Sequence, residues 1–121
     1  MKNMILIADD NPSVRTFLVK VIRRADPNAN IMDVDTGNAA LEAYRKWMPN
    51  LVILDHGLPD VDGFHVLEQL KHWYAAPYVV MVTGDPNLEE AAFQHGADEV
   101  WLKPMDVGWL LQHLSILLPA A

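Results

Sequence analysis

The chain contains no cysteine, which excludes a disulfide framework and thiolate metal sites and fits a cytoplasmic protein. It has no long apolar run. The first apolar residues meet Asp9-Asp10 too soon to form a signal-peptide core, and no stretch reaches membrane-spanning length. Cations are scarce: nine Lys and Arg face sixteen Asp and Glu, for a formal net charge of −7. Without a basic stripe, direct nucleic-acid binding is not expected, and a metal ion or a cationic partner fits better. Internal repeats, linkers and low-complexity segments are also absent. At 121 residues, 51% hydrophobic and without a compositional break, residues 1–121 are expected to form one domain.

What is present is alternation. Met4-Ile-Leu-Ile-Ala8 reads as a buried strand, and Asn11-Pro12-Ser13 opens a helix with Val14, Phe17, Leu18, Val21 and Ile22 on one face. Asn30–Val34 is a less apolar strand, expected near a sheet edge. Thr36-Gly37-Asn38 starts a helix with Ala40, Ala43, Tyr44 and Trp47 as its apolar side. Leu51-Val-Ile-Leu-Asp55 is apolar until its last residue. Asp62 is placed to cap a helix from Gly63, with Phe64, Leu67 and Leu70 inward, Gly63 supplying a conformation costly to other residues. Tyr78–Val82 is the fourth strand and ends in Thr83-Gly84-Asp85. Asn87 with Glu90 suggests a capping box for a helix that Gly96 stops, with Leu88, Ala91, Ala92 and His95 on one face. Glu99–Leu102 is the fifth strand, and Asp106 caps a last helix carrying Val107, Leu110, Leu111, Leu114, Leu117 and Leu118. Five strands strictly alternating with five helices imply an α/β fold, a parallel sheet with helices on both faces. Periodicity does not give the strand order.

The strand ends carry the chemistry. Asp9-Asp10, Asp55, Thr83 and Lys103 all follow strands, and in an open parallel sheet these tips face one crevice. Three carboxylates gathered there repel unless a cation lies among them, and a hard divalent ion such as Mg2+, bound through oxygen, suits so small a cluster. Thr83 offers a hydroxyl, Lys103 a point charge and Gly84 open space, a set that describes a phosphoryl group on or near Asp55. Asp9 and Asp10 are also plausible turn or cap residues. His56, His65, His72, His95 and His113 lack metal-ligand spacing and read as structural or surface, and Trp47, Trp73 and Trp109 read as packing residues.

These positions resemble the receiver domains of two-component response regulators: Asp9-Asp10, then Asp55 with Leu58-Pro59 and Asp62-Gly63, Thr83-Gly84, and Lys103-Pro104, in order over nearly the whole chain. The resemblance implies a flavodoxin-like doubly wound sheet of order 2-1-3-4-5. It implies a phosphorylation-dependent signalling domain rather than an enzyme, with only self-catalysed phosphoryl transfer and dephosphorylation. Asp55 would be the phosphoacceptor, served by a histidine kinase or histidine phosphotransfer protein. Asp10, Asp55 and the backbone carbonyl of Gly57 would hold Mg2+, with Asp9 acting mainly through water, and Thr83 and Lys103 would hold the phosphoryl oxygens. Thr83 would drive the switch.

The chain also departs from the pattern. Val100 stands where such domains usually carry a Tyr or Phe, Gly57 and Asp85 occupy the positions two after Asp55 and Thr83, and His56 follows Asp55. Trp101 lies either exposed on an edge strand, where it would serve an output or dimer face, or under the fourth or fifth helix. A downstream output domain or effector, a phosphorylation-dependent homodimer and no membrane partner complete the expectation. Two alternatives compete with it. A degenerate receiver would act only as a binding module, and a haloacid-dehalogenase-like phosphatase wants an acid where Gly57 stands. The chain reaches Leu118-Pro-Ala-Ala121 directly after the last helix, as either a stand-alone regulator or a receiver cut from a longer protein.

Overall fold

A computed structural model describes residues 2–73 and 75–118. The C-terminal Pro119–Ala121 lies outside them. The elements are β1 (Met4–Ala8), α1 (Pro12–Ala25), β2 (Asn30–Val34), α2 (Gly37–Trp47), β3 (Leu51–Asp55), α3 (Gly63–His72), β4 (Tyr78–Thr83), α4 (Glu89–Gln94), β5 (Glu99–Leu102) and α5 (Val107–Leu117). All strand pairs are parallel, and the order is β2-β1-β3-β4-β5. Polar β2, expected near an edge, is an edge strand.

Each strand sends alternate residues to opposite faces, which divides the core in two. Ile5, Ile7, Leu51, Ile53, Val80, Val82 and Trp101 pack with Leu18, Val21 and Ile22 of α1 and Leu110 and Leu114 of α5. Leu6, Ala8, Val52, Leu54, Val79 and Met81 pack with Ala40 and Tyr44 of α2, Val66, Leu67 and Leu70 of α3 and Ala92 of α4. β3 is buried along its whole length because it is central and helices cover both its faces. That explains why its sequence is apolar without alternation.

Several local expectations need correction. The fourth helix has no capping box: Asp85 caps a 3-10 turn at Pro86–Leu88, and α4 starts at Glu89 with no side-chain cap. Trp47 is not on the buried face of α2. It is half exposed, with the Lys46 ammonium 5.1 Å from its ring centroid, because α2 ends there and Met48 turns left-handed at φ 47°. Val107 likewise lies exposed at the start of α5. Gly63 is required for proximity rather than for an unusual conformation. A Cβ there would lie 2.7 Å from both the Cα and the carbonyl oxygen of His56, so only glycine lets α3 begin against the end of β3. Gly96, by contrast, has φ +110° and ends α4 as expected.

Candidate functional site

The parallel sheet delivers Asp9, Asp55, Thr83 and Lys103 to one edge, and local bonds then fix each one. Asp55 is the last residue of β3, where His56 N–H donates to the Val82 carbonyl at 3.1 Å and extends the ladder past the strand. Lys103 N–H donates to the Thr83 carbonyl at 2.9 Å, and Asp9 N–H to that of Val34 at 3.1 Å. The three loops leaving the sheet are therefore pinned by backbone before any side chain acts.

Side chains finish the arrangement. Asp9 accepts from Asn11 N–H through Oδ1 at 2.9 Å, while Asn11 caps α1. Arg15 donates through Nη1 to the Asp9 carbonyl at 2.7 Å and through Nε to Asp33 at 3.1 Å. Asp60 reaches across to α2, accepting from Gly37 N–H at 2.7 Å and Asn38 N–H at 3.0 Å, and these bonds hold its carboxyl below the usual range. The loop after Asp55 is thereby tied to a second helix. Neither Arg15 nor Asp60 was singled out from the sequence, because each acts on a neighbour distant in the chain and nothing local marks it.

Asp9, Asp10 and Asp55 each offer a carboxylate oxygen within 4.8 Å of the others. Asp9 and Asp55 are buried and Asp10 is exposed, so the cluster opens to water on one side. The Lys103 ammonium bridges it, 3.1 Å from Asp9 Oδ2 and 3.1 Å from Asp55 Oδ1. Repulsion among the acids is thus already partly offset by a cation of the protein itself. Asp55 Oδ2 has Gly57 beside it: a Cβ there would lie 3.6 Å away, in ordinary contact, and glycine leaves that side without a side chain over the carboxylate. Nothing would lie within 4 Å of a Cβ on Gly84, so the approach beside Thr83 is open.

Thr83 is buried, and its Oγ1 accepts from Asp85 N–H at 3.1 Å and lies 3.4 Å from His56 Nδ1. His56 was read from sequence as structural or surface; it stands in the site. Of the two places expected for Trp101, the structure shows the covered one, under α5. This side chain is 3% exposed, turned inward onto Trp109 and His113 of α5, with its indole N–H donating to Glu99 at 3.2 Å. Its ring therefore adds little to the exposed surface. Val100 is half-buried on the opposite sheet face, packed against the α2, α3 and α4 layer.

Charge in the cluster is unevenly distributed. The Asp55 carboxyl is pushed above the usual carboxylate range, first by burial and then by the Asp9 charge; Lys103 pulls it down and Asp10 adds a smaller push upward. The Lys103 ammonium is also held above its ordinary range: burial opposes its charge, but hydrogen bonds and attraction to Asp9 and Asp55 outweigh that. Both move the same way: burial, with two like charges against one shared cation, raises Asp55, while two carboxylates outweigh the burial of Lys103.

A carboxyl raised above its unfolded value of about 3.9 makes the native state the better proton binder, so stability falls as pH rises through the window between the two values. Asp55→Asn mimics the protonated form. In metal-free buffer it should melt above the wild type at neutral pH, with the advantage fading toward about pH 4 and below. Differential scanning calorimetry across that range checks it, and a variant that melts lower at neutral pH would contradict it.

Comparison with known proteins agrees with this geometry. The sequence matches the Response regulator receiver domain family over residues 5–115. The KDP operon transcriptional regulatory protein KdpE of Escherichia coli (strain K12) is 30% identical over 115 residues, covering 94% of this chain and 50% of that protein. The transcriptional regulatory protein KdpE of Mycobacterium tuberculosis (strain CDC 1551 / Oshkosh) is 33% identical over 113 residues, covering 92% of this chain and 49% of that protein. The chain thus spans about half the length of the curated relatives it matches. The solved structure of Vibrio cholerae chemotaxis protein CheY4 superimposes with a TM-score of 0.86 at 21% identity, over 98% of this chain and all of that one, a likeness of fold. A doubly wound sheet of order 2-1-3-4-5, acids and a lysine meeting at its carboxyl edge, and a family match over most of the sequence lead to one conclusion: the chain belongs to the receiver domains of two-component response regulators.

Proposed function

We propose that Asp55 is the phosphoacceptor of this receiver domain and takes its phosphoryl group from a phosphohistidine on a kinase or phosphotransfer protein. The observation that carries the proposal is the single Lys103 ammonium shared by Asp9 and Asp55 beside Asp10. A buried carboxylate is held ready, with one oxygen neutralised and the other open. In the reaction an Asp55 oxygen forms the new bond to phosphorus as the phosphorus–nitrogen bond to histidine breaks, and the imidazole leaves with that electron pair. The transition state is loose, so placing the carboxylate and neutralising charge do most of the work. Lys103 turns from the carboxylates to a phosphoryl oxygen, and the Thr83 hydroxyl donates to another.

The donor set suits Mg2+: three hard carboxylate oxygens, no nitrogen or sulfur, and an exposed Asp10 that leaves room for bound water. Asp10, Asp55 and the Gly57 carbonyl would hold the ion, with Asp9 helping through water. When bound, it would neutralise charge on the phosphoryl oxygens. Intact-mass spectrometry with acetyl phosphate tests the proposal. A magnesium-dependent gain of one phosphoryl group, not formed when magnesium is chelated beforehand, is expected; no adduct with several small donors would overturn it. Asp10→Asn removes one repelling charge and one ligand together. It should weaken magnesium binding by at least about tenfold and slightly raise the metal-free melting temperature. Unchanged affinity with lower stability would make Asp10 a structural residue.

The output is conformational, carried by Thr83 to the surface formed by α4, β5 and α5 and read there by an output domain, an effector or a second copy. Since Trp101 is buried, the large apolar side chains exposed on these elements are Phe93 of α4, Leu102 of β5, and Val107, Trp109 and Ile116 of α5. Residues 1–121 as a whole would form the domain, working in the cytoplasm; no helix among the described residues is long and apolar enough to cross a membrane. A degenerate binding module is not favoured by so complete a site. Nor is a haloacid-dehalogenase-like phosphatase, since Gly57 lacks the acid that it needs.

A further inference from the structure

The residue after the phosphoacceptor has a role that neither the family match nor the site chemistry assigns. We propose that His56 is the positioning residue that restrains Thr83 in the unphosphorylated protein and passes its release to α4 through Phe64 and His95. The proposal rests on the reading of Asp55 as phosphoacceptor.

Hydrogen-bond accounting at Thr83 carries the first half. A hydroxyl has one proton to give and two lone pairs. Thr83 Oγ1 already accepts from Asp85 N–H at 3.1 Å, and among the described residues the acceptor within reach of its proton is His56 Nδ1 at 3.4 Å. Thr83 itself is 2% exposed, although the space beside Gly84 is open. With Nδ1 as the acceptor the imidazole carries its hydrogen on Nε2; an Nδ1–H would instead donate to the second lone pair of Oγ1 and leave the hydroxyl proton without this partner. At 3.4 Å the bond is long and weak for a hydroxyl donor, whereas a bond from the same hydroxyl to a phosphoryl oxygen is charge-assisted and roughly twice as strong. The two acceptors compete for one proton, and phosphorylation wins.

Packing carries the second half. The His56 backbone cannot follow Thr83, because its N–H is bonded to the Val82 carbonyl and Gly63 abuts its Cα and carbonyl oxygen. Only the side chain is free to respond. Its ring centroid lies 5.9 Å from that of Phe64, and Phe64 stacks on His95 at 4.7 Å with 14° between planes. His95 directly follows α4 and is bonded through Nδ1 to Glu68 of α3 at 2.7 Å. α4 is only six residues long and has no side-chain cap of its own at its start, so it is a short element for such a change to move. Val100, at the usual aromatic position, offers no polar atom for this task. The line from Thr83 through His56, Phe64 and His95 is a built alternative route on the α3 and α4 side of the sheet.

Long-range proton–nitrogen NMR of the imidazoles should show His56 of the unliganded wild type as the Nε2–H tautomer. Its Nδ1 signal should then move away from a hydrogen-bonded acceptor position when beryllofluoride and magnesium are added. His56→Leu should raise beryllofluoride affinity about two- to tenfold, the worth of one neutral hydrogen bond, and should have no such effect in a Thr83→Val background. Phe64→Leu should keep the His56 signature while reducing the amide shift changes in α4. An Nδ1–H tautomer, or an equal effect of His56→Leu in both backgrounds, would overturn the restraint; undiminished α4 changes in Phe64→Leu would overturn the relay. Beryllofluoride binding that Asp55→Asn abolishes, with flat His56 results, sinks this inference alone. No Asp55-dependent binding sinks the phosphoacceptor reading and this inference with it.

Discussion

Asp55→Asn should take up no phosphoryl group from acetyl phosphate and no beryllofluoride, under magnesium concentrations at which the wild type does both. The substitution preserves shape almost atom for atom, so a fold defect cannot account for the loss; the same variant is expected to be the more stable protein at neutral pH. An amide nitrogen replaces one of two oxygens that have distinct surroundings, Oδ1 held by Lys103 and Oδ2 open beside Gly57. It cannot act as the nucleophile. Higher stability together with complete loss of the adduct is a paired outcome that a merely structural carboxylate would not give. A phosphorylated Asp55→Asn protein would show that another acid accepts the group.

Lys103→Met should slow phosphorylation by small donors about 100-fold, the typical cost of deleting one charge-stabilising group from a transition state. It should also destabilise the protein. Lys103 is 29% exposed and joins carboxylates 3% and 10% exposed. Breaking a fully buried pair costs about 3–5 kcal/mol and an exposed pair close to nothing, so about 1–3 kcal/mol is expected here. The loss follows pH. Without its cation Asp55 should titrate higher still, and the deficit should shrink in acid as the carboxyl becomes neutral. Magnesium should restore more stability to the variant than it gives the wild type, because an added cation then meets two uncompensated acids. Chemical denaturation with and without magnesium at two pH values checks the pattern. A variant as stable as the wild type and phosphorylated at the same rate would remove Lys103 from the site.

Much of the site was legible because its chemistry sits at strand ends, where a short apolar run stopping at Asp9, Asp55, Thr83 or Lys103 signals itself. A parallel sheet then leaves those tips no choice of edge. The supporting contacts were not legible. Arg15, Asp60 and His56 are ordinary polar residues in the sequence, and each gains its role from a partner on another element: the Asp9 carbonyl, the start of α2 and the Thr83 hydroxyl. Trp101 and Trp47 show the same divide for apolar residues. Trp101 fitted a buried or a surface place and lies under α5; Trp47 fitted the apolar face of α2, but the end of that helix leaves it half exposed.

By itself, then, the sequence determined the number and type of elements, the buried central strand and the identity of the reactive residues, because periodicity and strand-end polarity are local properties. Tertiary structure alone decided three things: that Lys103 neutralises two acids before any metal does, that Gly63 is needed for clearance at His56 rather than for its backbone angle, and that an imidazole stands against Thr83. The reason is physical. Pairing of charges, steric clearance and competition for one hydroxyl proton all depend on distances between residues that chain order leaves undetermined.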